Sequence, residues 1–290
     1  MDTDMRCFAG CQIGITFGNA GRSSNRCIGV IRRIGSIPSV VGWPLANLKF
    51  MEGTGCGRGI VLVAPKEISA VSLADRLEQA KREWRSRLTP ELADALEALV
   101  KQLEASQVTA ASLKAHDRIP DFELPNTEGQ IVSSRELLEH GPIVVSYFRG
   151  DWCPYCVLEL RALEDALPQI EQLGATLVAI TPDTGAALAA AKHKNKLSYQ
   201  VLSDADNGVA LKLGLVFRLP EAIQKPFLDM GIDLPSRHGN DAWFLPIPAT
   251  YVVDRAGIIR HAELDPDYTR RMEPRAIIEL LQEIGRESGS

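Results

Sequence analysis

Two cysteines three positions apart, Cys153 and Cys156, are the residues of this chain whose type and spacing could do chemistry. They stand in the run Phe148-Arg-Gly-Asp-Trp-Cys-Pro-Tyr-Cys-Val-Leu-Glu-Leu160. A thiolate is the reactive form of cysteine. A free thiol has a pKa of about 8.5, and C-x-x-C motifs or helix N-termini lower it to roughly 3.5–7.5. Two sulfurs within one helical turn can also bridge, so that one attacks a substrate and the other resolves the product. Arg149 adds positive charge beside the pair and Asp151 opposes it, while Trp152, Pro154 and Tyr155 frame the sulfurs. The competing reading of a C-x-x-C is half a zinc site. That needs further ligands, and no second C-x-x-C or H-x-x-x-H is present. The expectation is a redox dithiol that forms a Cys153–Cys156 disulfide on oxidation, with no metal and no cofactor.

The elements that must position this pair are legible around it. Ile143 to Phe148 is an apolar, β-branched run after Gly141-Pro142 and reads as a buried strand. Leu158, Leu160, Leu163, Ala166, Leu167 and Ile170 recur at helical spacing, with Glu159, Arg161, Glu164 and Asp165 on the other face. The cysteines therefore lie where a strand hands over to a helix. Pro154 suits the first helical turn, where no amide donor is needed. Free N–H groups and partial positive charge at that end favour thiolate.

The 290 residues allow one large or two small domains, and 45% hydrophobic with 24% charged residues is ordinary for a globular chain. A net charge of −5 gives no electrostatic case for nucleic acid or an anionic membrane. No apolar run approaches the roughly 20 residues that span a bilayer. Six cysteines, two of them in the redox motif, do not form a secreted disulfide framework at this length. A cytoplasmic location is expected.

Residues 1–70 differ from the rest. They hold eleven of the 23 glycines and Cys7, Cys11, Cys27 and Cys56, and no amphipathic period persists there. A secretory signal lacks its apolar core here, and the glycine load argues against an organelle transit helix. The four cysteines are irregularly spaced for metal, and Gly53-Thr-Gly-Cys-Gly-Arg-Gly59 lacks the flanking strand and helix of a phosphate loop. The segment reads as disordered or as no part of the natural product, with regular structure beginning near Val71.

Residues 71–115 read as a helical arm. Ser72 caps a helix marked by Leu73, Leu77, Ala80, Trp84 and Leu88, and Thr89-Pro90 restarts one marked by Leu92, Leu96, Leu99, Val100 and Leu103. Such a hairpin must bury its stripe. Packing on the following domain is the first expectation, and self-association into a homodimer is the alternative. From 116 to 285, strands at 119–125, 130–134, 143–148, 175–180, 199–202, 250–254 and 258–261 alternate with helices at 135–140, 154–170, 184–195, 206–213 and 274–284. The pattern predicts an α/β fold with a partly parallel sheet and an antiparallel hairpin at one edge. Residues 217–245, with three prolines and four large aromatics, interrupt the alternation as an ordered insertion of the kind that forms a lid or pocket wall. Pro248, at the start of a strand, is a candidate cis proline. The five histidines are scattered, and His238 in the insertion is the one worth testing.

Several of these pieces together resemble a known family. Ile119-Pro-Asp-Phe-Glu-Leu, the Cys153-Pro-Tyr-Cys156 helix, Thr181-Pro-Asp183 and Pro248-Ala-Thr-Tyr-Val-Val-Asp-Arg-Ala-Gly-Ile-Ile are similar to the peroxiredoxin-like branch of the alkyl hydroperoxide reductase and thiol-specific antioxidant superfamily. The resemblance covers about residues 116–285. It implies a thioredoxin-like fold, a central mixed sheet flanked by helices, here preceded by the helical hairpin. It also implies a peroxide-reducing activity recycled by thioredoxin or a similar dithiol reductant. By family position Cys156, with Glu159 after it, is the peroxidatic cysteine. Two positions depart from the pattern. Cys153 stands where the family usually has Thr or Ser, and Pro248 where it usually has Arg. Trp152-Cys-Pro-Tyr-Cys156 resembles the sites of thioredoxins and glutaredoxins instead, in which Cys153 would attack. The readings are therefore a thiol peroxidase, a thiol–disulfide oxidoreductase, and a non-enzymatic redox sensor.

Overall fold

Apolar residues that alternate along strands and recur every turn along helices give a sheet covered on both faces. The computed structural model describes residues 71–288 and five short strands ahead of them. The chain divides into two units, Met1–Lys66 and Glu67–Ser290. In the first, β1 (Met5–Arg6) pairs with β2 (Gln12–Ile13), and β5 (Ile60–Leu62) lies between β3 (Gly29–Ile31) and β4 (Leu48–Phe50), all antiparallel. Apart from these strands, the expectations for residues 1–70, including the four cysteines and the Gly53–Gly59 run, lie outside the described residues.

The second unit opens with α1 (Leu73–Arg85) and α2 (Pro90–Ala105). Each is capped where the sequence predicts: the Ser72 hydroxyl accepts from the Asp75 amide and the Thr89 hydroxyl from the Leu92 amide. The two helices bury their stripes in different places. Leu73 and Leu77 of α1 join the core around α4 (Pro154–Gln172), whereas Leu92, Leu96, Leu99 and Leu103 of α2 pack under the insertion. The arm thus packs on its own chain, the first of the two expectations.

Next come β6 (Glu123–Pro125), β7 (Ile131–Ser133), α3 (Ser134–His140), β8 (Ile143–Tyr147), α4, β9 (Thr176–Thr181), α5 (Gly185–Asn195), β10 (Gln200–Ser203) and α6 (Gly208–Lys212). After the insertion follow β13 (Ala249–Val253), β14 (Ile259–Leu264) and α9 (Pro274–Ser288). The main sheet has the order β10-β9-β8-β13-β14, with β8, β9 and β10 parallel and β13 antiparallel to both β8 and β14. Because side chains alternate across a strand, Val144, Phe148, Leu177, Ala179 and Val252 face α1, α4 and α9, while Val145, Tyr147, Val178, Ile180 and Tyr251 face α6 and the β6–β7 side. This is a thioredoxin-like α/β fold.

The insertion is ordered. β11 (Val216–Arg218) pairs antiparallel with β12 (Phe244–Pro246), and between them lie α7 (Glu221–Asp229) and α8 (Leu234–His238). Phe217, Leu219, Ile223, Phe227 and Leu245 share a core with α2. One expectation is corrected: no peptide bond is cis among the described residues, Pro248 included. The chain runs extended from β12 into β13, with the Ile247 amide on the Leu215 carbonyl at 2.7 Å and Ala249 already in register with Tyr147, so no reversal is needed there.

Candidate active site

The central strand β8 ends at Tyr147, and the turn that follows builds the site. Arg149 is 3% exposed. Gly150 has φ +140, and a Cβ there would strike the Trp152 ring and the Asp183 carboxylate, so glycine permits both the dihedral and the close approach. The Trp152 indole N–H donates to the Arg149 carbonyl at 3.1 Å. Cys153 is the N-cap of α4, Pro154 its first residue, and Cys156 sits one turn in. Both cysteines are free and both are 0% exposed.

Two guanidinium groups meet the two sulfurs. Arg149 Nη2 lies 3.2 Å from Cys153 Sγ. Its guanidinium is held between two rings, 3.9 Å from the Tyr268 centroid and 5.0 Å from that of Trp152. Arg271 Nη2 lies 3.4 Å from Cys156 Sγ. Its Nε donates to Glu159 at 2.6 Å, and its Nη1 donates to the carbonyls of Tyr268 and Arg270. The Thr250 hydroxyl completes the contacts of Glu159 at 3.3 Å. Tyr155 closes the near side, its ring 5.8 Å from that of Tyr268.

Charge balance explains how the thiols ionise. Two buried arginines face one buried carboxylate, and an uncompensated charge away from water is costly. One thiolate restores neutrality. Burial alone pushes the Cys153 thiol up. A hydrogen bond from Cys156 and the charges of Arg149 and Arg271 outweigh it and hold Cys153 well below an ordinary thiol. For Cys156, burial and then the hydrogen bond to and charge of Cys153 act together, and hold it well above an ordinary thiol against the pull of Arg271 and Arg149. The pair thus shares one proton, with a guanidinium beside each sulfur. Burial also raises the Glu159 carboxyl, opposed by Arg271.

A second ionic cluster fastens the insertion over this turn. Arg237 of α8 grips Asp183 with two bonds, Nε to Oδ1 at 2.9 Å and Nη2 to Oδ2 at 2.6 Å, and also reaches Asp151. Lys194 binds Asp151 from α5 at 3.0 Å. Phe227 of α7 meets Trp152 edge-on at 5.5 Å. His238 is buried beside Asp183, 3.8 Å away, rather than beside the sulfurs.

The structure therefore gathers Cys153, Cys156, Arg149, Trp152, Pro154 and Tyr155 as the sequence suggests. Pro248 is buried just before β13 and supplies no charge; the guanidinium that reaches Cys156 is that of Arg271. Sequence reading missed Arg271 and Tyr268. They lie in the aperiodic stretch between β14 and α9, where no spacing signals a site.

A thioredoxin-like sheet with a dithiol at the start of the helix after β8 defines a class of thiol-based redox proteins. Residues 115–262 match the model of the AhpC/TSA family, and the chain belongs to that family. Among curated relatives, a chloroplastic peroxiredoxin Q of Suaeda salsa is 30% identical over 141 residues, covering 49% of this chain and 55% of that protein. A putative peroxiredoxin bcp of Coxiella burnetii is 28% identical over 105 residues, covering 36% of this chain and 69% of that protein. The match thus spans little more than half the length of the first of these relatives. Among solved structures, peroxidoxin BcpB of Mycobacterium tuberculosis aligns with 59% of this chain and 97% of its own, at 21% identity and a TM-score of 0.47.

Proposed function

We propose that the protein is a thiol-dependent peroxidase that reduces hydrogen peroxide or organic hydroperoxides through the Cys153/Cys156 dithiol. The observation that carries this reading is the convergence of two guanidiniums on two fully buried sulfurs. A small peroxide needs little room to reach the reduced pair in this enclosed state, whereas exchange with a protein dithiol, which recycles the oxidised pair, requires the site to open. Cys156 passes its proton to the Cys153 thiolate and attacks the terminal peroxide oxygen. The O–O bond breaks, Cys156 becomes a sulfenic acid, and the leaving alkoxide or hydroxide takes the proton from Cys153. Arg271, beside Cys156, stabilises the charge that develops on the leaving oxygen. The Cys153 thiolate then attacks Cys156 Sγ, the S–O bond breaks, and hydroxide leaves as water with a proton from solvent. The resulting disulfide is reduced by a thioredoxin-like dithiol donor by thiol–disulfide exchange, in a cytoplasmic setting where such reductants prevail.

A second reading is favoured by Arg149, whose Nη2 lies 3.2 Å from Cys153 Sγ and helps hold that thiol well below the ordinary range, as a thiol–disulfide oxidoreductase with Cys153 as attacking thiol requires. Single variants separate the two. In Cys153→Ser, the peroxidase reading expects Cys156 to react, to be trapped by dimedone as sulfenic acid, and to over-oxidise in excess peroxide. In Cys156→Ser, peroxide consumption collapses. Dimedone on Cys153 in Cys156→Ser, with none on Cys156 in Cys153→Ser, would overturn the assignment. Mixed disulfides accumulating on Cys153 in Cys156→Ser, without peroxide turnover by the wild type, would establish the oxidoreductase.

A further inference from the structure

Arg271 belongs to neither a helix nor a strand, and it lies outside the residues that match the family model, 115–262. It stands in the loop between β14 and α9. Three of its contacts depend on the shape of that loop, because its Nη1 binds the loop's own carbonyls at Tyr268 and Arg270 while Nη2 reaches Cys156. A loop that aims a guanidinium to within hydrogen-bond reach of a sulfur must itself be fixed.

What fixes it comes from within the loop and from α1, at the opening of the second unit. The Asp267 carboxylate accepts from the amide and hydroxyl of Thr269 at 3.0 and 2.7 Å, closing a tight turn just before Arg271. Lys81 of α1 reaches into that turn, 3.5 Å from Asp267 Oδ2 and 3.4 Å from the Thr269 hydroxyl. On the other side of Arg271, the Glu273 carboxylate accepts the amides of Leu73 and Ala74 at 3.2 and 2.8 Å. Those are free N–H groups at the positive end of α1, where a carboxylate is favoured. The helix is thus fastened to the loop at two points that bracket Arg271. Between them, Leu73 and Leu77 share a core with Tyr268, Met272 and Cys156.

We infer that α1 is a positioning element for the redox site, with Lys81 and Glu273 holding the 265–273 loop so that Arg271 is presented to Cys156. This rests on the reading of Cys153 and Cys156 as the redox pair, but not on peroxide being the oxidant. Neither Lys81 nor Glu273 touches a sulfur. Their effect is transmitted by loop geometry and must vanish when Arg271 is gone.

That requirement supplies the experiment. In full-length Cys153→Ser protein, the alkylation of Cys156 by iodoacetamide is followed against pH by mass spectrometry of its peptide. Lys81→Met/Glu273→Gln should raise the apparent pKa of Cys156 and slow alkylation at neutral pH about three- to tenfold. Lys81→Arg should retain the wild-type profile. The same pair of changes is then made in Arg271→Met/Glu159→Gln, which removes both buried charges together and leaves neither unpaired. There it should produce no further shift. An unchanged profile in the first case, or an equal shift with and without Arg271, overturns the inference. A shift that depends on Arg271 in a protein that consumes no peroxide upholds it while removing the peroxidase reading.

Discussion

Arg270 and Arg271 are neighbours in sequence and opposites in environment: the side chain of the first is 69% exposed and that of the second 3%. The difference lies in what each faces. Arg270 pairs with Asp265 at the surface, whereas Arg271 holds Glu159 and Cys156 in the core. Exposed pairs contribute at most about 1 kcal/mol, whereas removing one partner of a buried pair costs about 3–5 kcal/mol because its counter-charge is stranded. Arg271→Met should therefore destabilise the protein by an amount of that order, and Arg271→Met/Glu159→Gln should recover most of it. Arg270→Met should change stability by less than about 1 kcal/mol. Urea titrations of the three variants check this ordering, and equal losses for Arg270 and Arg271 would refute it. Nothing in the sequence separates the two arginines, since no periodicity runs through residues 265–273. The cysteines were legible because a strand, a proline and an amphipathic helix all converge on them. Their second cation was not, because a loop brings it back from more than a hundred residues away.

Among the elements, α8 shows how a short piece of chain is held by polar contacts. It has five residues, too few to be stable alone. Its Arg237 side chain turns to Asp183 just after β9, the Arg237 carbonyl accepts from the Thr184 amide and hydroxyl at 2.9 and 3.0 Å, and the His238 ring is buried 3.8 Å from Asp183 without a hydrogen bond to it. Prolines and aromatics mark 217–245 as an ordered insertion, and Thr181-Pro-Asp183 and His238 are both visible in the sequence, but nothing joins them, because pairing across 54 positions leaves no local trace. Burial and the adjacent Arg237 push the His238 ring down to about 4 from an ordinary 6.5. A group whose folded pKa is depressed binds fewer protons in the folded state than in the unfolded one between those two values. Stability from this source is complete above pH about 6.5 and is lost as pH falls toward about 4. His238→Gln should flatten part of that decline. Thermal melts at pH 7 and pH 4.5 test the sign: a variant whose melting temperature falls as steeply as the wild type's would exclude His238 as the source.

At the scale of the whole molecule, the second unit encloses its redox pair from three directions. α4 presents the sulfurs, α1 and the 265–273 loop bring Arg271 and Tyr268, and the insertion lays Phe227 on Trp152 and Arg237 on Asp151. The sheet and its helices could be read from alternation and helical spacing. The enclosure could not, because it is a matter of which surfaces meet. Its consequence is a difference between reagents. Both sulfurs are wholly covered, so a bulky reagent must await an opening of the surrounding structure, in which the insertion is seated on Trp152, while hydrogen peroxide needs only a gap of molecular size. Phe227 is itself 3% exposed, so Phe227→Ala removes a buried ring and the edge-on contact that seats the insertion on Trp152. A cost of about 3–5 kcal/mol is the usual range for such a change, and less is expected if the lobe collapses onto the space. Within the folded variant, reaction of the Cys153/Cys156 pair with 5,5′-dithiobis(2-nitrobenzoate) should accelerate by a factor of ten or more, on the order of the opening energy removed. The rate with hydrogen peroxide should change much less, because Arg149 and Arg271 remain in place. Reaction is followed by stopped flow below the variant's unfolding transition, with modification of the 153–156 peptide confirmed by mass spectrometry. Equal acceleration toward both reagents would mean that the insertion gates all access, and acceleration toward neither would mean that it does not cover the sulfurs in solution.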